Sequence, residues 1–310
     1  KAVDMVEKIA EKRLKEIRQD LSECSPGFVY QAKESVDTLK KAVRILSYHA
    51  QHGSFKPYEA ELSFGMKGDT LPPLKVNIEN DRQLVLRGRI DRVDVLEHGG
   101  CTYIKIIDYK SRIEQFRLRN FYNGVSIQLL SYMALLIKEG GELFGPEVLP
   151  AAVLYFAVMN PIVNLGGPLE KEKIESKVRQ ELKMTGLLLE DLDILRFMDG
   201  VSHRYSEIIP VQFTKSGVSK NSNTVLLEQF KYLLDFVEVK LAQLGNEIYS
   251  GEVSISPYRD GNFTPCAYCG YRSVCGFDSF LGNSFRVLGR ESDREILEKI
   301  YQELSVNNEE

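Results

Sequence analysis

Hydrophobic residues within positions 1–52 recur every three or four positions, the spacing of an amphipathic helix. The pair Ser25-Pro26 interrupts this pattern, and because proline stops a helix from continuing, we expect two helices. The second is predicted to run from about Val29 to His52 and to end at Gly53. The chain therefore opens with a helical segment.

The pattern then changes to the alternation of β-strands. Residues 58–66 alternate well enough for a first strand, and residues 86–96 and 101–111 are rich in β-branched and aliphatic side chains. Gly99-Gly100 between the last two strands suits a two-residue hairpin loop, since glycine accepts the positive φ of such turns. This loop would pair His98 with Cys101.

Counting outward from that loop sets Asp91 opposite Asp108 and Asp94 opposite Lys105. Facing side chains lie ~4.5–5.5 Å apart at Cβ, and like charges there are destabilising. A cation between Asp91 and Asp108 would remove the repulsion, and carboxylates suit Mg²⁺ or Mn²⁺. Alternation places Lys110 on the same face as Asp108. Two acids, a dication and a lysine can hydrolyse a phosphodiester. The alternative, a ladder of cross-strand ion pairs, explains Asp94 but not Asp91.

The remaining pattern sets the fold class. Residues 121–138 return to helical spacing, and residues 150–159 form an almost wholly apolar run typical of a strand buried on both faces. Another amphipathic helix is expected over residues 224–250. We predict an α/β fold with a mixed sheet flanked by helices. The predicted divisions are 1–52 (helical), 53–165 (sheet core), 166–250 (peripheral insertion and long helix) and 251–310 (cysteine segment and tail).

Composition narrows the functional classes. The chain has 310 residues, is 43% hydrophobic and carries a net charge of −4, so a uniformly basic, DNA-coating surface is excluded. No apolar run is long enough for a membrane span, and no phosphate-binding loop indicates ATP hydrolysis. Because the chain begins at Lys1 without a signal-peptide pattern, we expect a cytoplasmic protein and a piece of a longer chain.

Other polar residues are candidates for accessory roles. Glu61, or Glu59 of the same parity, could be a third metal ligand or simply an exposed glutamate. Gln128 and Tyr132 share a helix face and could contact a nucleotide or form an ordinary polar edge. Three cations follow the acids and could contact phosphates or line a solvated loop: Arg112, Arg117 and Arg119.

Three of the five cysteines, Cys266, Cys269 and Cys275, fall within ten residues. That spacing in a cytosolic protein favours zinc or an iron–sulfur cluster over disulfides. Cys24 and Cys101 do not stand at metal spacing, so a fourth ligand is expected outside this chain. His49 and His52 at a helix end are more typical of polar end groups than of a metal site.

These motifs together resemble the RecB-type branch of the PD-(D/E)XK nucleases. The resemblance rests on GRIDRVD at 88–94, IDYKS at 107–111 and QLLSY at 128–132. The sequences PYR at 257–259, CAYC at 266–269 and SVC at 273–275 are similar to the AddB-type chains of AddAB helicase–nucleases, as are 124–132 and 150–156.

The resemblance implies a Mg²⁺-dependent exonuclease that processes double-strand DNA ends for recombinational repair, with DNA and an AddA-like helicase–nuclease subunit as partners. It implies that Asp91 and Asp108 bind metal, that Lys110 is the catalytic lysine, and that Gln128 and Tyr132 form the QxxxY motif. The cysteines would supply three ligands of a [4Fe–4S] cluster. The family's upstream metal-binding histidine is missing, and neither His49 nor His52 fits its place.

Two alternatives stay open. A stand-alone Cas4-like iron–sulfur exonuclease would share the acids and cysteines. A catalytically silent, cluster-bearing DNA-binding or scaffold domain would keep the fold without the chemistry, although the intact Asp91, Asp108 and Lys110 argue against silence.

Overall fold

The computed structural model describes residues 1–17, 25–164, 167, 170–200, 205–215 and 217–307. The helices are α1 Ala2–Ile17, α2 Pro26–His52, α3 Leu118–Tyr122, α4 Gln128–Glu139, α5 Gly141–Phe144, α6 Lys171–Glu181, α7 Leu192–Met198, α8 Leu227–Ser250, α9 Arg272–Cys275 and α10 Asp293–Asn307. The strands are β1 Lys56–Phe64, β2 Leu74–Ile78, β3 Arg82–Leu86, β4 Gly88–His98, β5 Cys101–Lys110, β6 Val148–Ala157, β7 Thr185–Leu189, β8 Phe213–Thr214, β9 Gly217–Val218, β10 Thr224–Val225, β11 Tyr258–Arg259 and β12 Arg286–Val287.

These elements form two compact units. The first comprises residues 1–62, 89–116 and 136–227, and the second comprises residues 63–88, 117–135 and 228–310. None of the described helices has the length and apolar character that crossing a bilayer requires.

The two predicted N-terminal helices are confirmed as α1 and α2 of the first unit. Helix α2 begins at Pro26, three residues before the predicted start, because Ser25 caps it by accepting a 3.4 Å hydrogen bond from the N–H of Phe28. Proline is favoured in the first turn, where its missing N–H costs nothing. Gly53 ends the helix as predicted. Cys24 lies outside the described residues.

A six-stranded sheet, in the order β1-β4-β5-β6-β7-β10, forms the centre of the first unit. Strands β4 and β5 are antiparallel, β5 and β6 parallel, β6 and β7 antiparallel, and β7 and β10 parallel. The predicted α/β class with a mixed sheet and flanking helices is therefore confirmed. The sequence predicts a peripheral insertion and a long helix over residues 166–250. Strands β7 and β10 fall within this range but belong to the central sheet.

The β4–β5 hairpin has the predicted loop. His98 pairs with Cys101 and Asp94 with Lys105. Gly99 and Gly100 have φ values of 62° and 85°, the left-handed backbone that a primed two-residue turn requires. Strand β4 is shifted by two residues from the predicted span of 86–96, and β1 by two from 58–66.

Strand β6 is the most deeply buried strand, and eight successive residues from Pro150 to Ala157 are buried. Neighbouring strands cover both of its edges, and its apolar side chains fill the space on both faces. This agrees with the sequence expectation of a strand covered on both sides.

The second unit contains a hairpin, over residues 74–86, that the sequence did not predict. Strands β2 and β3 pair from Leu74–Leu86 to Ile78–Arg82 around a turn in which Asn80 and Asp81 have φ values of 60° and 54°. Asparagine and aspartate are the non-glycine residues that best tolerate this conformation.

The helix predicted over 121–138 is divided into α3 and α4 by residues 123–127, and the helix predicted from residue 224 begins at Leu227, as α8. The core of the second unit is aromatic: Tyr122 stacks on Phe236, with ring centroids 5.8 Å apart and an interplanar angle of 10°. Ile296 and Ile300 of α10 are fully buried.

Candidate active site

The β4–β5 register brings the two predicted acids together. The paired positions run from His98–Cys101 to Arg92–Ile107, and one further step sets Asp91 against Asp108. The two carboxylates lie close enough that the charge of Asp91 contributes to raising the pKa of Asp108. Asp91 Oδ2 accepts a 2.8 Å hydrogen bond from the backbone N–H of Tyr109, which fixes its orientation.

Asp108 is a buried acid, with only 3% of its surface exposed. Burial raises the pKa of its carboxyl above the ordinary value, Asp91 raises it further, and Lys110 opposes both. A carboxylate in this position is therefore held in an environment that disfavours its charge.

Lys110 lies on the same face of the sheet as Asp108, as predicted. Its Nζ is 2.6 Å from Asp108 Oδ2, and 5.5 Å from the ring centroid of Tyr155 on the neighbouring strand. Burial alone would lower the pKa of Lys110, but Asp108, Tyr155 and Asp91 outweigh it, so the pKa is raised. Lys110 is thus a fixed cation beside the two acids.

The pair Asp91 and Asp108 fits a hard dication. Mg²⁺ is commonly held by one or two carboxylates and keeps several waters. Asp108 Oδ2 is buried and lies 2.6 Å from Lys110 Nζ, a contact that occupies one of the two lone pairs of this oxygen. This oxygen therefore retains an acceptor lone pair for a further ligand.

Glu61 stands apart from this pair. It has a φ of 61° within β1, and its carboxylate lies 2.6 Å from Arg89 Nε, with both side chains more than half exposed. Across the described residues, side chains of His, Cys, Asp and Glu nowhere gather in a group of three or more that could hold a metal ion. In this structure Glu61 serves as a partner of Arg89.

Gln128 and Tyr132, in the second unit, lie one turn apart on α4 as predicted. Gln128 Nε2 donates a 2.9 Å hydrogen bond to the Tyr132 hydroxyl, and the Tyr132 ring lies edge-on to Phe64, with centroids 5.8 Å apart. The two side chains thus orient each other.

The three arginines differ in their surroundings. Arg112 is 73% exposed and lies 2.9 Å from Glu114, so it remains accessible. Arg117 and Arg119 both pair with Asp260, at 3.2 and 2.6 Å, and Arg119 also donates to the backbone oxygen of Gly289. Arg119 is only 15% exposed, so it holds the second unit together more than it faces solvent.

The cysteine segment, residues 265–275, begins with a 3₁₀ turn over Pro265–Tyr268 and ends with α9. Cys266 is half-buried, and Cys269 and Cys275 are exposed. Because no metal-binding group of three forms among the described residues, these thiols alone do not fit a cluster. Cys101, far along the chain, instead donates to Glu147.

A buried ionic cluster on the opposite face of β4 and β5 extends the predicted Asp94–Lys105 pair. Asp94 is fully buried and lies 2.9 Å from Lys105 and 2.6 Å from Arg92. His49 of α2 is buried near these two cations, and within the part of the chain that the structure describes neither of its ring nitrogens has a hydrogen-bond partner. Within this cluster of four residues, the hairpin register predicted the Asp94–Lys105 pair but not the positions of Arg92 and His49.

The sequence also did not predict that Tyr155 lies beside Asp108. Its place beside Asp108 depends on the parallel pairing of β5 with β6, across a connection of 37 residues, Ser111 to Glu147. The sequence predicted both strands but contained no signal for their mutual register.

Comparison with known proteins identifies the family of this chain. The sequence profile of the PD-(D/E)XK nuclease superfamily matches residues 1–276. The chain is 36% identical over 301 residues to a subunit of an ATP-dependent helicase/deoxyribonuclease of Clostridium tetani, covering 96% of this chain and 26% of that protein. The identity is 38% over 287 residues with the protein of the same name from Clostridium acetobutylicum (92% and 25%).

The chain thus spans about a quarter of the length of the relatives it matches. The profile match covers most of the chain, and the paired acids and lysine occupy neighbouring positions on two strands of a mixed sheet. This chain belongs to the PD-(D/E)XK nuclease superfamily.

Proposed function

We propose that this chain is the nuclease domain of the AddB-type chain of an AddAB helicase–nuclease, and that it hydrolyses DNA phosphodiesters while double-strand ends are processed for recombinational repair. The observation that carries the proposal is the buried Asp108 facing Asp91 beside Lys110. The family and the names of the relatives support it.

In this proposal each residue has a separate task. Asp91 and Asp108 hold a divalent cation, and the Tyr109 N–H keeps Asp91 oriented. A bound Mg²⁺ or Mn²⁺ would supply Lewis-acid polarisation of the phosphate and a water of lowered pKa. Lys110 places its ammonium where negative charge grows on the phosphoryl oxygens, which stabilises the transition state.

The proposed partners are DNA and an AddA-like helicase–nuclease chain, and the proposed location is the cytoplasm. Arg112 is the most accessible of the three arginines for a phosphate contact, since it is exposed and its ion pair with Glu114 is a weak surface pair. Gln128 and Tyr132 remain candidates for a nucleotide contact. Glu61 remains a candidate for a third metal ligand, but its carboxylate would first have to leave Arg89.

A [4Fe–4S] cluster at Cys266, Cys269 and Cys275 remains a proposal for the full-length protein. It requires a fourth ligand beyond this chain and a rearrangement of three thiols that the structure leaves apart. No catalytic role is assigned to it.

Replacement of Asp108 by alanine tests the proposed activity. We expect the wild-type chain to degrade linear DNA when Mg²⁺ is added, and D108A to lose at least on the order of 100-fold in rate, the effect of removing one major electrostatic stabiliser. DNA affinity, measured by fluorescence anisotropy without metal, should persist. Asp37→Ala, on the exposed surface of α2, is the matched control and should cut normally.

The result also separates the alternatives. A silent scaffold domain would bind DNA but show no Mg²⁺-dependent cutting even in the wild type, and this outcome would refute the proposal. Cutting by the chain that is indifferent to an added AddA-like partner and its ATP would instead favour a stand-alone exonuclease.

A further inference from the structure

Tyr155 of β6 lies directly beside the acid pair. It is the register partner of Asp108 in the parallel β5–β6 ladder and is 6% exposed. On its other side Tyr155 pairs with Thr185 of β7, whose hydroxyl donates to the backbone oxygen of Glu114. Because register partners on neighbouring strands point to the same face of a sheet, the Tyr155 ring lies on the face that carries Asp108.

The ring of Tyr155 is within cation–π distance of Lys110. The 5.5 Å from Nζ to the ring centroid lies inside the ~6 Å range of such contacts. Lys110 is 30% exposed, so its ammonium is partly withdrawn from water, and the attraction exceeds that of a surface pair.

The other partner of Lys110 is Asp108, which in the proposed function also binds the metal. Lys110 lies 2.6 Å from Asp108 Oδ2, the oxygen that keeps a lone pair for a metal ligand. When Asp108 ligates a dication, its attraction for the ammonium weakens, because the metal's charge offsets that of the carboxylate. Tyr155 is uncharged and offers Mg²⁺ no carboxylate oxygen, so its hold on Lys110 survives metal binding.

We propose that Tyr155 is a positioning residue that holds the Lys110 ammonium in the metal-loaded site. This inference rests on the proposed function for its catalytic meaning. Its structural content, a lysine retained on an aromatic ring after Asp108 binds metal, can be tested without any turnover.

Nuclear magnetic resonance of the lysine side chains gives that test, because an aromatic ring shifts nearby protons upfield. With ¹³C-labelled lysine, the Lys110 ε-methylene signal is assigned as the one missing from Lys110→Arg. We expect it upfield of the exposed lysines in the wild type and in Tyr155→Phe, which keeps the ring. Tyr155→Leu should return it to the ordinary position. Tyr103→Leu, on the opposite face of β5, is the matched control and should leave it unchanged.

Once the Lys110 signal is assigned, titration of the wild type with Mg²⁺ tests the proposal without any substitution of Tyr155, so this test stands even if Tyr155→Leu does not fold. The upfield shift should persist at saturation. A shift that disappears with Mg²⁺, or one that is unaltered in a folded Tyr155→Leu, would overturn the proposal.

Kinetics then separate positioning from packing. Tyr155→Leu should lower kcat roughly 2- to 30-fold, the factor that corresponds to a cation–π contact, while KM and the Mn²⁺ dissociation constant stay unchanged. Tyr155→Phe should restore most of the rate. Loss of Mn²⁺ affinity in both variants would show a packing role instead and refute the assignment. If the wild type cuts no DNA, the proposed function fails while the resonance test remains decisive for Tyr155.

Discussion

At the scale of one residue, the buried carboxylate of Asp108 lowers the stability of the fold when it is ionised. Its carboxylate is buried and faces Asp91, so the pKa of Asp108 is raised first by burial and then by the neighbouring charge. A raised pKa means that the folded state disfavours the ionised form relative to the unfolded chain. In the absence of metal, Asp108 therefore contributes stability at low pH that is lost as the pH rises through its raised pKa.

Asp108→Asn should consequently stabilise the metal-free chain at pH 7, by a few tenths to about 1 kcal/mol, the size of a cross-strand charge effect. The gain should vanish at acidic pH, where Asp108 is protonated. Urea denaturation measures both values. Saturating Mg²⁺ should stabilise the wild type and not the variant, because only the native wild type binds it.

Asp94→Asn is the control for that comparison. Asp94 is equally buried, but it pairs with two cations, Arg92 and Lys105, that are more buried than Lys110. Its loss leaves these buried cations unpaired and should destabilise by about 3–5 kcal/mol. A metal-free Asp108→Asn that behaves like Asp94→Asn would show that Asp108 is a structural ion-pair partner.

His49 is the other residue with a marked conflict between charge and burial. Burial, with Lys105 and Arg92 nearby, lowers the pKa of His49 to about 3 from the ordinary 6.5. The unfolded chain therefore binds a proton at this histidine near pH 6.5, whereas the folded chain does not. The free energy of unfolding consequently falls as the pH drops from 6.5 towards 3.

His49→Leu should remove this loss. Between pH 6.5 and 5 the wild type should lose about 1–2 kcal/mol more of its free energy of unfolding than the variant. Leu39→Ala, at an exposed position of the same helix, changes no titratable group and should keep the wild-type pH profile. Parallel profiles for the wild type and His49→Leu would contradict the buried, neutral histidine.

At the scale of the elements, turn residues decided what could be predicted. Gly99-Gly100 between alternating runs fixed the β4–β5 register, and with it the placement of Asp91 and Lys105, because two consecutive residues must take positive φ. The β2–β3 turn uses Asn80 and Asp81 for the same conformation. That signal was present but weaker, since both residues are also common in irregular loops.

Helix ends were predicted where a capping residue marks them. Ser25 and Gly53 bound α2, whereas the five residues that divide α3 from α4 contain no proline, and the sequence pattern runs through them. The segment does contain a stop signal that the hydrophobic pattern concealed: Gly124 follows α3 with a φ of 71°, and its N–H donates to the backbone oxygen of Phe121. A glycine in this left-handed conformation is a common end of a helix.

Gly186 illustrates a requirement that belongs to the sheet. Its φ is 154°, and an added Cβ would lie 2.1 Å from the backbone oxygen of Val153 on the paired strand β6. Gly186→Ala must therefore push β7 away from β6, and we expect a loss of about 2–4 kcal/mol in urea denaturation. Gly141→Ala at the start of α5, where a Cβ meets nothing within 4 Å, should be neutral or slightly stabilising. Equal effects of the two substitutions would contradict the close β6–β7 contact.

At the scale of the whole molecule, the sequence predicted the class of fold and the acid hairpin but not the full extent of the sheet. Strands β7 and β10 are five and two residues long, and two residues are too few to show any alternation. Their membership of the sheet comes from pairing across distant parts of the chain. The same limit applies to Tyr155, which meets Asp108 only once β6 has paired with β5.

The chain's length relative to its relatives bears on the cysteine segment. About three quarters of each relative lies outside the matched region. The segment exposes large apolar side chains, among them Tyr268 at 85% and Val274 at 83%. Its cysteines were recognisable by their spacing, but spacing along the chain does not by itself bring three thiols together in space.

We expect that Asp91 and Asp108 tolerate each other because a divalent cation binds between them, and a crystal soaked in Mn²⁺ would show this cation by its anomalous scattering. A strong peak should lie within ligand distance of one carboxylate oxygen from each residue, and Asp108→Asn should show no such peak. If saturating Mn²⁺ leaves this position empty, or binds at other acids instead, the two carboxylates do not share a cation.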